Sequence, residues 1–133
     1  MKSKEDLSRR GRTSRNKGAN YERQVAKMFS DYCDIQLART PMSGGFQKQG
    51  SSKDFKGDLV SIEEGKDLIL SIECKNAKTW SLPAWLRQSE EEAPEGKIPC
   101  VVFHQHNTSN NYIALPLEEF LALVGDSVVK TNG

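Results

Sequence analysis

The strings Gly57-Asp58-Leu59-Val60 and Ile72-Glu73-Cys74-Lys75 decide how this sequence is interpreted. In each string an acidic residue adjoins an apolar run, and Lys75 follows Glu73 by two positions. Charged side chains on a strand of buried character need a partner or a function, because burying an unpaired charge is costly. These two strings are therefore the first candidates for a functional site.

The second string ends a segment, 67–75, that alternates as a strand with one buried face. Residues two apart in a strand point to the same side, so Glu73 and Lys75 project together. The strand face that carries Glu73 and Lys75 becomes charged only at the C-terminal end of the segment, and the opposite face is apolar. The apolar face is formed by Leu68, Leu70, Ile72 and Cys74.

Whether Asp58 joins Glu73 depends on the register between residues 58–62 and 67–75. If Glu64 and Gly65 form a two-residue hairpin turn, Asp58 lies opposite Ser71 and diagonal to Glu73 on one face. A loop with an odd number of residues would place the two acids on opposite faces unless a bulge restored the register. The sequence therefore predicts a hairpin, with this geometric condition attached.

The remaining elements are predicted from the spacing of apolar residues and from glycine, proline and serine residues that mark where helices and strands begin or end. A strand that is apolar throughout, after a helix that can serve as a crossover, favours parallel pairing with an earlier strand. The expected fold class is an α/β sandwich around a mixed sheet. The predicted elements are a helix at 20–32, a strand at 35–40, a loop at 41–57, the hairpin, a helix at 82–93, strands at 98–104 and 112–115, and a helix at 116–124.

The length and composition predict one globular domain, preceded by a basic arm and followed by a short tail. Residues 1–18 contain seven basic and two acidic residues, a net charge of +5, so the rest of the chain carries −4. Such a segment without apolar periodicity is expected to be a flexible arm that binds a polyanion, although a solubilising tail would have the same composition. The domain is expected at 19–126 and a short polar tail at 127–133. No apolar run is long enough for a membrane span, which favours a cytoplasmic location.

The three cysteines (Cys33, Cys74 and Cys100) have neither disulfide-framework nor zinc-site spacing. An acid pair with an adjacent lysine instead suits phosphodiester hydrolysis. Two carboxylates can hold Mg²⁺, which neutralises phosphate charge and generates hydroxide near neutral pH, and a lysine can position the attacking water. Asp58 and Glu73 are the proposed ligands, with the backbone carbonyl of Cys74 as a further oxygen donor. Glu-x-Lys on a strand is more often a surface ion pair, so the prediction depends on Asp58 joining it.

Gly57-Asp58 followed by Glu73-Cys74-Lys75 resembles the signature of the PD-(D/E)XK nuclease superfamily, with glycine where proline is usual. Within that superfamily, the segments 17–23 and 39–45 resemble the archaeal-type Holliday junction resolvase family, and the pattern at 101–117 is similar to its phage-encoded members. The resemblance covers roughly residues 16–124. It implies a restriction-endonuclease-like sandwich with a central mixed sheet of about five strands flanked by helices.

The resemblance also implies an activity and a set of residues. The expected protein is a homodimeric, Mg²⁺-dependent endonuclease that resolves four-way DNA junctions by paired symmetric nicks. Mn²⁺ is expected to substitute for Mg²⁺, no organic cofactor or membrane is expected, and a phage-encoded chain would act in the host cytoplasm. The first helix supplies Glu22, so the implied catalytic set is Glu22, Asp58, Glu73 and Lys75, and Glu22 joins the metal ligands.

DNA contacts are expected from the arm and from the loop before Asp58. Gln88, in the second helix, is a supporting candidate. Two alternatives remain open, namely a nuclease of the same superfamily acting on another DNA substrate, as a nicking, restriction or recombination enzyme, and a non-catalytic DNA-binding protein. The expected DNA-binding residues are Arg10, Arg12, Arg15, Arg39, Ser43, Lys48, Lys53 and Lys56.

Overall fold

A computed structural model describes residues 4–41 and 57–132, with side chains from residue 16 onward. Within this part of the chain the fold is mixed α/β, with three α-helices and five strands. The elements in chain order are α1 (Lys4–Cys33), β1 (Leu37–Arg39), β2 (Leu59–Ser61), β3 (Leu70–Ala77), α2 (Leu82–Glu92), β4 (Ile98–Gln105), β5 (Asn111–Ala114), α3 (Leu117–Val124) and a 3-10 turn (Gly125–Val128).

The strands form two small sheets, which corrects the prediction of one central sheet of about five strands. In one sheet β1 pairs antiparallel with β2, and in the other the order is β3-β4-β5. The larger sheet is mixed, since β3 and β4 are parallel and β4 and β5 antiparallel. The expected parallel pairing across helix α2 is therefore present.

The predicted hairpin is wrong. Strand β2 pairs with β1, with Ala38 opposite Val60, and eight residues separate β2 from β3. Leu68 in this connection is buried, and its carbonyl accepts a 2.7 Å hydrogen bond from Lys97 Nζ. Because the connection is anchored in the body of the protein, it cannot form the two-residue turn that the hairpin required.

The two faces of the larger sheet have different coverings. On the face of Ile72 and Cys100, which are fully buried, Tyr21 and Val25 of α1 pack to form the hydrophobic core. On the other face Ser89 is the buried residue of α2. Glu73 and Lys75 belong to this second face, because they alternate with Ile72 and Cys74 along β3. The fold thus places Glu73, which is 8% exposed, on the face toward α2.

Helix α1 begins at Lys4 and continues through the segment predicted as a flexible arm, whereas the sequence predicted a start at Asn20. The flexibility of residues 1–18 stays a prediction, as does the division into arm, domain and tail. No helix in the described ranges has the length and apolar character needed to cross a membrane.

Candidate active site

Gly57 brings the start of β2 close to β3. Its φ of +90° lies in the left-handed region that favours glycine. A Cβ atom at this position would lie 3.1 Å from Ser71 Oγ and 3.2 Å from the backbone nitrogen and oxygen of Ile72. Proline, usual at this place in the motif, is fixed near a φ of −65° and could not adopt this conformation. The glycine therefore allows the close approach by which Asp58 reaches β3.

Asp58 is bound to β3 through its backbone and its side chain. Its N–H donates a 2.6 Å hydrogen bond to the carbonyl of Ile72, and its Oδ2 accepts a 2.7 Å hydrogen bond from the N–H of Cys74. The predicted register placed Asp58 opposite Ser71, whereas its observed backbone partner is the next residue, Ile72. The geometric condition for the predicted site was that the Asp58 carboxyl lies beside Glu73. The structure meets this condition although the predicted hairpin is absent.

The carboxyl groups of Asp58 and Glu73 lie close enough for each to influence the pKa of the other. Burial raises the pKa of Glu73 to about 8, and the charges of Asp58 and then Glu92 contribute, while Lys75 opposes the shift. Burial also raises the pKa of Asp58 to about 6, although the Cys74 hydrogen bond and the charge of Lys75 oppose it. Two acids that repel each other in a desolvated position share a proton unless a cation joins them.

The edge of β3 supplies a third oxygen. Backbone N–H and C=O groups of one residue in a strand point toward the same edge, and those of neighbouring residues toward opposite edges. Since the N–H of Cys74 binds Asp58, the Cys74 carbonyl lies on the Asp58 side of β3 as well. The role of this carbonyl as an oxygen donor to a metal stays a prediction.

These groups fit a hard divalent cation. Mg²⁺ commonly binds through one or two carboxylates, with water and substrate phosphate completing six oxygens. Asp58, Glu73 and the Cys74 carbonyl can provide this partial set. In the described part of the chain no three His, Cys, Asp or Glu side chains lie close enough together to hold a metal on their own.

Glu22 is close to the centre but has another partner. Its Oε2 accepts a hydrogen bond from Nε of Arg39 in an ion pair that is largely shielded from solvent, with side-chain exposures of 15% and 35%. The negative charge of Glu22 nevertheless raises the pKa of Asp58, so the two carboxyls lie near each other. The structure thus brings Glu22 to the margin of the site, with its charge offset by Arg39.

The second helix supplies a residue that sequence reasoning missed. Glu92 is not among the predicted site residues, yet it is half-buried and its charge raises the pKa of Glu73. The spacing of Trp85, Ser89 and Glu92 (i, i+4, i+7) places Glu92 on the buried stripe of α2 and could have revealed this. Gln88 is exposed and donates a 3.3 Å hydrogen bond to Glu92 Oε1, so it contacts the site only through Glu92.

The other predicted residues are located only in part. Ser43, Lys48, Lys53 and Lys56 lie outside the described residues. Arg10, Arg12 and Arg15 belong to the first half of α1, where the side chains are likewise not described.

Comparison with known proteins gives a family match. The sequence profile of a family described as "Phage putative PDDEXK endonuclease" matches residues 13–131. This covers most of the chain and includes Glu22, Asp58, Glu73 and Lys75. The chain therefore belongs to this family of phage PDDEXK endonucleases. No curated protein and no solved structure matches it.

Proposed function

We propose that this protein is a divalent-metal-dependent DNA endonuclease that cleaves four-way junctions as a homodimer, in the host cytoplasm. The observation that supports the chemistry is the convergence of Asp58, Glu73 and Lys75, in a chain of the PDDEXK endonuclease family. The junction substrate and the dimer are supported by the sequence resemblance to resolvases. Two symmetric nicks require two sites related by a two-fold axis, which a homodimer provides.

Asp58 and Glu73 would hold Mg²⁺ or Mn²⁺ together with the Cys74 carbonyl. When bound, the ion neutralises charge on the phosphate and makes a nucleophilic water available near neutral pH. The buried position of Glu73 excludes bulk water and strengthens electrostatic interactions at the scissile phosphate. The hydrogen bond from Cys74 fixes the orientation of the Asp58 carboxylate before substrate arrives.

Lys75 would act on the substrate directly. Its charge already acts on both carboxyls, since it lowers the pKa of each. An ammonium group at this position can orient the attacking water or stabilise negative charge that develops on the phosphate. Replacement by arginine should not restore cleavage, because a guanidinium is planar and does not release its proton.

Glu22 and Arg39 would form the boundary between the metal centre and the DNA. The Glu22 carboxylate would help to hold the ion or its waters, while Arg39 would contact the phosphate backbone. The basic arm and the lysines of the 42–56 segment would add contacts to the phosphates, which set affinity more than sequence preference.

The direct test is cleavage of a four-way junction beside a linear duplex of the same sequence, with Mg²⁺. We expect wild-type protein to nick the junction in pairs and to spare the duplex. Glu73→Ala should abolish cleavage and retain DNA binding, and Glu90→Ala, an exposed glutamate of α2, serves as the matched control. Equal cleavage of both substrates would instead indicate a nuclease with another DNA substrate. Unchanged cleavage by Glu73→Ala would refute the assigned site.

A further inference from the structure

A cluster of aromatic side chains lies on the same sheet face as the candidate active site. Lys75 of β3 is paired with Phe103 of β4, and Phe103 with Tyr112 of β5. Directly paired residues of neighbouring strands project from the same face. Lys75, Phe103 and Tyr112 therefore form one row across the sheet, and Trp80 packs against its aromatic end.

The geometry of the cluster leaves two rings accessible. Phe103 is buried, whereas Trp80 is 42% and Tyr112 45% exposed. The Tyr112 ring stacks on Phe103 with centroids 5.6 Å apart, and Trp80 meets Phe103 edge-on at 5.0 Å. Trp85 of α2 supports Phe103 from a further side, at 6.2 Å. The exposed rings are thus held in place by a buried one, which lowers the entropy lost when a ligand binds to them.

We propose that Trp80 and Tyr112 form a stacking site for an unpaired nucleobase of the DNA that is cleaved at Asp58 and Glu73. This inference rests on the proposed nuclease function and deepens it, because it assigns selectivity for branched or locally unpaired DNA to particular residues. Aromatic side chains bind unpaired bases by stacking without regard to sequence, and paired bases inside a duplex are not accessible to them.

The position of the cluster favours a nucleobase over a protein partner. Two strand spacings separate Lys75 from Tyr112, which is roughly 10 Å. A nucleic acid strand advances about 3.4 Å per nucleotide in a duplex, so a base some three nucleotides from a phosphate at Lys75 can reach the rings. A protein partner would be expected to contact aliphatic side chains beside the rings. The neighbouring aliphatic residue of β5, Ile113, projects from the opposite face because side chains alternate along a strand. The accessible part of the cluster is consequently made of planar rings.

The test compares two short single strands, one of oligo(dA) and one of the same length with abasic sites, which carry the same phosphates and differ in their bases. Binding is measured with full-length Glu73→Ala protein, so that no cleavage occurs. We expect Trp80→Leu and Tyr112→Leu to weaken oligo(dA) binding by about 5- to 150-fold and to leave abasic-strand binding unchanged. Trp80→Phe and Tyr112→Phe retain a ring and should stay close to the parent protein.

Further measurements separate stacking from a structural effect. Tyr32→Leu removes a ring that is 86% exposed on α1 and should change neither affinity. In a Trp85→Phe background Trp80 is the sole tryptophan of the chain, and its fluorescence should be quenched by oligo(dA) and not by the abasic strand.

Three results would overturn the proposal. They are an equal loss of affinity for both strands, an absence of binding to either, and a change of oligomeric state in light scattering with oligo(dA) affinity intact. The last would show that the rings bind a second copy of the chain. Mn²⁺ uptake by the Trp80→Leu variant with Glu73 restored, and junction cleavage by the wild-type protein, report separately on the proposed nuclease function.

Discussion

The Asp58 carboxylate accepts a 2.7 Å hydrogen bond from the backbone N–H of Cys74. This bond joins the end of the small sheet to the edge of the large one and places the Asp58 carboxyl beside Glu73. Asp58 directly precedes β2, and β2 is not paired with the β3 strand that carries Glu73, so the proximity of the two acids depends on a few contacts around Gly57. The following predictions test these contacts.

The metal-free protein should lose stability as the pH rises. The pKa of Glu73 is raised from its ordinary value of 4.5 to about 8, so the folded state binds more protons than the unfolded state between these values. The contribution of Glu73 is complete below pH 4.5 and is lost as the pH passes 8. We expect the melting temperature to fall by roughly 5 °C or more across this interval.

Two controls apply to that prediction. Glu73→Gln removes the titrating proton and should flatten the dependence. Addition of Mn²⁺ at about pH 8 should recover the lost stability in the wild type and not in the variant, since an ion that binds only the folded state stabilises it. A melting temperature that rises between about pH 5 and pH 8 in the absence of metal would contradict the raised pKa.

Gly57→Ala should displace Asp58. The substitution places a Cβ within 3.1 to 3.2 Å of Ser71 and Ile72 at a φ of +90°. We expect a loss of about 1–3 kcal/mol in the free energy of unfolding and weaker Mn²⁺ binding. Denaturant unfolding and calorimetric titration measure the two effects.

The matched control for this change is Gly65→Ala. Gly65 has a φ of +82°, but a Cβ there would meet nothing within 4 Å. In this variant the free energy of unfolding should fall because of backbone strain, and Mn²⁺ affinity should equal that of the wild type. If both variants bind Mn²⁺ like the wild type, the close approach at Gly57 does not position Asp58.

Glu22→Gln should affect the metal less than Asp58→Asn does. The Glu22 carboxylate is paired with Arg39, whereas the Asp58 carboxylate lies near Glu73 and its charge raises the pKa of Glu73. We expect Mn²⁺ affinity to fall less than about tenfold in Glu22→Gln and more than this in Asp58→Asn, by calorimetric titration. A double-mutant cycle of Glu22→Gln and Arg39→Gln should give a coupling of roughly 1 kcal/mol in unfolding free energy. Metal affinities equally reduced in the two single variants would make Glu22 a direct ligand.

Deletion of residues 1–15 should weaken DNA binding and reduce its salt dependence. The deletion removes six of the seven basic residues among residues 1–18. The salt slope on duplex DNA falls by about 0.9 for each phosphate that the protein no longer neutralises. Cleavage at low salt should persist, because the proposed metal ligands lie elsewhere. Affinity measured between about 50 and 200 mM salt tests this, and an unchanged slope would assign the arm another role.

The local elements were largely predictable from the sequence. Helix α2 and strand β4 match their predicted ranges to within one residue, because proline and serine mark the start of the helix and an unbroken apolar run marks the strand. The alternation along β3 likewise determined that Glu73 and Lys75 share a face away from the core. These features depend on neighbouring residues along the chain, which a sequence displays directly.

What only the tertiary structure decided is the pairing of strands and the surroundings of each charge. A three-residue strand such as β2 has too few side chains to specify its partner, so its pairing with β1 follows from the buried Leu68 connection and the close approach at Gly57. The engagement of Glu22 by Arg39 and the influence of Glu92 on Glu73 also join distant parts of the sequence. The sequence determined which residues carry the chemistry, whereas three-dimensional packing determined which of them meet, because burial and charge act through space.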